Sequence, residues 1–158
     1  MTCPPMVAKK FDPTWLEGHQ LLYFDLHGRL NNPWWWGDEG HTALTVKEIK
    51  AADLSGAVVF AVNCYLADEQ SPMMDALLDA GAKLVIGGGG QNWAGAKRVQ
   101  DAALLGKTFR RLYLRGVPAL WSLQLAKTWL RLAALLRRDR NALRDTLAFR
   151  AYYRKRSR

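Results

Sequence analysis

A chain of 158 residues that is 49% hydrophobic and 11% aromatic can bury the core of one domain, which excludes disorder as a description of the whole. Its two cysteines, Cys3 and Cys64, make no disulfide framework, the first twenty residues lack a signal-peptide core, and no run approaches about 18 apolar residues, so a soluble, cytoplasmic protein with no membrane partner is expected. The net charge of +9 is unevenly spread: residues 1–96 hold 6 Lys and Arg against 11 Asp and Glu, residues 97–158 hold 17 against 3, and such asymmetry concerns partners rather than fold.

After a Pro-containing lead, the apolar run from Leu21 to Leu26 predicts a first strand, which ends at His27-Gly28. A polar loop follows from Arg29 to His41, carrying Trp34, Trp35 and Trp36; these cannot all point inward, so at least one is expected over the cleft, at a partner or against the later glycine run. Thr45-Val-Lys-Glu48 has the form of a capping box opening a short helix. Ala57 to Val62 predicts a second strand, ended by Asn63-Cys64; Ser71-Pro72 opens a helix that Gly81 closes, and Lys83 to Ile86 makes a third strand running into Gly87 to Gly90. Beyond Gly90 the pattern is helical: Leu105, Phe109 and Leu112 recur at helical spacing, Gly116 ends that helix, and Pro118 opens a long one to about Leu136. Asn141 is read as the cap of a last helix reaching about Tyr152, with Arg154 to Arg158 as a tail. Strands apolar on both faces and alternating with helices predict an α/β fold, a mostly parallel sheet sandwiched by helices. Residues 1–158 form one domain on this reading, with a core over about 20–136 and a basic helical C-terminus over 137–158.

In parallel sheets the functional crevice lies at the carboxyl ends of the strands. If the first two runs are neighbours, His27 and Cys64 arrive at the same edge, and an imidazole beside a thiol is the minimum for a cysteine nucleophile with its base. From spacing alone a core cysteine and a surface histidine remain an open alternative.

The segments Leu21 to Gly28, Ala57 to Tyr65, Ala76 to Gly87, Trp93, and Leu105 to Lys127 together resemble the caspase-like cysteine peptidases, with the CHAT branch nearest and metacaspases, separases and gingipains behind it. The resemblance spans roughly residues 20 to 130, its blocks falling in the family's order. It implies a cysteine endopeptidase in which Cys64 is the nucleophile, His27 the general base, and the amides of Gly28 and Cys64 the oxyanion hole. Caspase-like peptidases usually cut after one charged residue type; Asp25 and Asp68 are the acids expected to bind substrate, favouring Arg or Lys before the scissile bond. The chain departs from the family after the cysteine, where Tyr65-Leu66-Ala67 stands in place of small residues and narrows the cleft, and it would be a minimal version of the domain.

Other signals fall away. Gly106-Lys107-Thr108 lacks the earlier glycine of a phosphate loop, Gly87 to Gly90 lacks dinucleotide spacing, and His19, His41 and Cys3 have no metal-ligand spacing on one element, so no cofactor and no metal are expected. The alternative reading is a catalytically inactive caspase-like scaffold that binds an acidic protein or nucleic acid through the arginine-rich C-terminus, including Arg137, Arg138 and Arg140.

Overall fold

In the computed structural model, which describes residues 1–92 and 101–153, the chain runs β1 (Leu21–Phe24), β2 (Trp34–Trp36), β3 (Thr42–Thr45), α1 (Val46–Lys50), β4 (Val58–Ala61), α2 (Pro72–Asp79), β5 (Leu84–Gly88), α3 (Asp101–Tyr113), α4 (Ala119–Arg137), α5 (Arg140–Ala148) and β6 (Phe149–Tyr152). Trp93 and the tail 154–158, both used in the sequence reading, lie outside the described residues.

The main sheet has the order β1-β4-β5-β6, parallel across β1, β4 and β5 and antiparallel at β6. In this register Phe24 stands opposite Ala61. His27 and Cys64 each lie three residues beyond that pair, so the alignment delivers both to one edge of the sheet.

Successive side chains of β4 enter different cores, which is why the segment shows no polar alternation. Val59 and Ala61 pack with Ile49, Leu54, Met73 and Leu77 on the side of α1 and α2. Val58 and Phe60 pack with Leu105, Phe109, Leu123, Leu130 and Phe149 on the side of α3, α4 and α5. Phe60 stacks on Phe109 at 4.8 Å and on Phe149 at 5.5 Å between ring centroids; burying each such ring contributes about 1.5–3 kcal/mol. The result is a mixed α/β fold with helices on both faces of a mostly parallel sheet.

Local signals explain the helix starts. Thr45 Oγ1 accepts the Lys47 N–H while Glu48 accepts the Thr45 N–H at 2.8 Å, closing the capping box of α1. Ser71 Oγ accepts the Met74 N–H with Pro72 at the first position of α2, and Gly81 follows with φ +101°. Helix α3 crosses the sheet at Gly106, where a Cβ would lie 2.7 Å from the Tyr23 ring. Gly106 is therefore a packing glycine inside a helix, and Gly106-Lys107-Thr108 belongs to no phosphate loop.

Three segments differ from the sequence reading. The tryptophan segment is a strand rather than a loop: β2 pairs antiparallel with β3, which buries Trp35 against Phe24 at 5.2 Å and leaves Trp34 exposed. The last helix is capped by Asp139, whose carboxylate accepts the Asn141 and Ala142 N–H groups, and not by Asn141. It stops at Ala148, where the chain becomes β6 with Phe149 opposite Gly88. Phe149 is fully buried and Arg150 exposed, the in-out alternation of a strand, so the core continues past residue 136 to the end of the sheet.

Candidate active site

His27 continues from β1 into a short antiparallel bridge: its N–H donates to the Trp36 carbonyl at 2.8 Å, and the Trp36 N–H donates back at 3.2 Å. The two rings stack with centroids 6.0 Å apart and 27° between planes, so Trp36 is the tryptophan that lies against His27. Gly28 then passes directly over Cys64. A Cβ at position 28 would lie 2.4 Å from the Cys64 carbonyl oxygen, so only glycine lets this turn approach the cysteine backbone.

Cys64 is fixed from the other side by asparagines and glycines. Asn63 Oδ1 accepts the Leu26 N–H at 3.1 Å, tying the ends of β1 and β4 together. Tyr65 takes a left-handed conformation with φ 60°, its N–H donating to Gly90 O at 2.7 Å, and the Ala67 N–H donates to Gly88 O at 3.1 Å. The cysteine loop thus lies along the glycine run after β5. Asn92, buried, is the hub: its N–H donates to Cys64 Sγ at 3.3 Å, its carbonyl accepts from Sγ at 3.5 Å, and its Nδ2 donates to Val62 O and Asn63 O at 3.2 and 2.8 Å. Gly88 makes room for that amide, since a Cβ there would lie 2.4 Å from Asn92 Oδ1.

Burial pushes the Cys64 thiol above its ordinary range; the Asn92 N–H opposes this, Asp145 adds to it and Arg144 works against it. Among the described residues Sγ hydrogen-bonds Asn92 and not His27. The His27-Gly28 turn lies against the Cys64 backbone, then, while burial disfavours the thiolate and Sγ bonds Asn92 in place of the imidazole.

The two acids expected to bind substrate sit on separate features. Asp68 accepts the Gly90 N–H with both carboxylate oxygens, at 3.0 and 3.1 Å, and so braces the glycine turn. Asp25 lines a cavity of about 380 Å³ along the outer edge of β1, shared with Phe11, Trp15 and His19. Partial burial raises its carboxyl, and the His27 imidazole opposes the shift, which places Asp25 within electrostatic reach of the cleft.

Sequence reasoning missed the layer behind Cys64. Arg144 on α5 donates to Gln91 O at 2.7 Å and pairs with the fully buried Asp145 at 3.2 Å. Asp101, at the start of α3, has its pKa pushed up to about 6 by burial and then by Asp139 and Asp145, with Arg144 opposing. Only the adjacency of Asn63 to Cys64 hinted at this network; Asn92 and Arg144 carry no local signal and become neighbours through the β5 and α5 packing. Because the folded state disfavours ionised Asp101, folding stability falls as pH rises from the ordinary carboxyl pKa of 3.8 through about 6. Asp101→Asn is therefore expected to raise the melting temperature above pH 6, with the gain vanishing below pH 4. Thermal melts across that range check it, and a gain independent of pH would contradict the assignment.

Among the described residues no three His, Cys, Asp or Glu side chains gather as a metal site. No family model matches the chain, and no curated protein matches it.

Proposed function

We propose that the chain is a cysteine endopeptidase of caspase-like architecture, with Cys64 as nucleophile and His27 as its acid–base partner. The observation that carries this reading is the contact of the His27-Gly28 turn with the Cys64 backbone at the shared end of two parallel strands. A second feature supports it: among the described residues neither the Gly28 nor the Cys64 N–H donates to a backbone carbonyl; the Gly28 N–H is the donor proposed for a developing oxyanion, and the Cys64 N–H, which lies against its own thiol, joins it once Sγ has attacked.

In the proposed reaction a bound peptide displaces Sγ from Asn92, and His27 turns from Trp36 to accept the thiol proton. The thiolate adds to the scissile carbonyl, the Gly28 and Cys64 amides hold the oxyanion, and His27 returns the proton to the leaving amine. Water, deprotonated by His27, then cleaves the thioester and restores the thiol.

A catalytically inactive scaffold is the second reading, and the specific observation in its favour is the thiol bonded to Asn92 in a site whose burial disfavours its ionisation. Profiling a peptide library separates the two. Cleavage is expected after Arg or Lys, with that preference weakened in Asp25→Asn, since Asp25 is the carboxylate that feels His27. A preference for acidic or apolar residues at that position would remove both Asp25 and Asp68 from substrate binding, and the absence of any cleaved peptide would favour the scaffold.

A further inference from the structure

Helix α4 is apolar on two sides. Its buried side, Leu123, Ala126, Leu130 and Ala134 with Ser122, packs into the core shared with α3 and α5. A helix with one such stripe ordinarily turns polar residues outward. Here Trp121, Leu125, Trp129, Leu132 and Leu136 follow one another at helical spacing on the outside, 68%, 48%, 56%, 59% and 87% exposed. At about 100° per residue this second stripe lies roughly 130° around the helix from the first and runs about 22 Å along it. Five large side chains in one exposed line are not the scattered single residues of an ordinary soluble surface.

The exposed charges on α4 and on α3, which packs against it, are all basic. Helix α4 contains no Asp or Glu. Arg110, Arg111 and Arg115 lie exposed on and after the neighbouring α3, Arg131, Arg137 and Arg138 on and after α4, and among the described residues none of the six forms an ion pair. The acids of this half are occupied elsewhere: Asp101 and Asp145 are buried and Asp139 caps α5. A second copy docking through the same stripe would bring like charge against like charge. An anionic bilayer meets both features at once, because tryptophan and leucine seat at the headgroup boundary while arginines reach lipid phosphates.

We propose that α4 is a peripheral membrane-binding helix that lays Trp121, Leu125, Trp129, Leu132 and Leu136 into the headgroup–acyl boundary of an anionic bilayer. No helix among the described residues is long and apolar enough to cross a membrane, and α4 does not need to; the sequence expectation of no membrane partner rested on spanning length, which says nothing about a helix lying in the surface plane.

The test is co-sedimentation of the full chain with vesicles of phosphatidylcholine containing 30% phosphatidylglycerol, and with phosphatidylcholine alone, at low and high salt. Wild type is expected to bind the anionic vesicles with a blue shift of tryptophan emission, and to release them as salt rises. Leu125→Gln with Leu132→Gln is expected to weaken partitioning at least tenfold and to diminish the blue shift, at an unchanged melting temperature because both sites are exposed; Arg131→Gln with Arg137→Gln and Arg138→Gln is expected to weaken it several-fold. Equal binding to neutral vesicles, or no binding to anionic ones, overturns the proposal. So does anionic binding that ignores the leucine substitutions, which would be charge attraction alone. If the leucine variant instead loses binding to an acidic amphipathic peptide while vesicles are never bound, the stripe is a protein-docking surface and the membrane assignment is wrong.

Discussion

Cys64→Ala is expected to abolish peptide hydrolysis, and His27→Ala to lower kcat/KM by at least about a thousandfold, the scale on which loss of a nucleophile or its base acts. The two substitutions differ in their structural cost. His27 is exposed, and its backbone bridge to Trp36 does not need the imidazole, so its truncation should leave the melting temperature unchanged. Cys64→Ala removes both Sγ contacts with Asn92, so a small loss of stability accompanies the loss of activity. Steady-state assays beside thermal melts separate the effects. Residual hydrolysis in Cys64→Ala would remove this cysteine from the chemistry.

Gly28→Ala is expected to be nearly as damaging without touching either reacting side chain. Its Cβ would meet the Cys64 carbonyl oxygen at 2.4 Å, and that neighbour is backbone, held in turn by Tyr65 and Ala67 hydrogen bonds to the glycine run. The strain has to be relieved by lifting the His27-Gly28 turn off the cysteine. Displacement of a catalytic group by about 1 Å costs on the order of a hundredfold in rate, whereas the overpacking itself costs about 1–3 kcal/mol of stability. A variant that is destabilised but retains wild-type kcat/KM would show that the close approach serves packing alone.

That His27 and Cys64 reach one edge of the sheet was legible because continuous apolar runs fix buried parallel strands, and each polar side chain follows the end of its run within two residues. The helix starts at Thr45 and Ser71 were legible for a similar reason, a cap being a local arrangement. The tryptophan strand was not, since Trp35 is buried by Phe24, a contact that nothing adjacent in sequence announces. Nor was β6, whose Phe149-Arg150-Ala151-Tyr152 follows a helix without a glycine or proline stop. Asn92 illustrates the remaining limit: it bonds the thiol from 28 residues away, and only the paired ends of β4 and β5 bring it there.

The setting of the thiol also governs its reactivity. With the thiol pushed up by burial, a small alkylating reagent is expected to modify Cys64 slowly at neutral pH and faster as pH rises above the ordinary thiol range, with little dependence on His27. A substrate-like electrophile should behave differently, because occupation of the cleft is what releases Sγ from Asn92 and recruits the imidazole. The most direct measurement is intact mass after exposure to a peptidyl acyloxymethyl ketone ending in Arg. One adduct is expected, mapped to Cys64, formed at neutral pH and lost in His27→Ala and Gly28→Ala; no adduct, or labelling of Cys64 that is as fast in His27→Ala as in wild type, would contradict a working dyad.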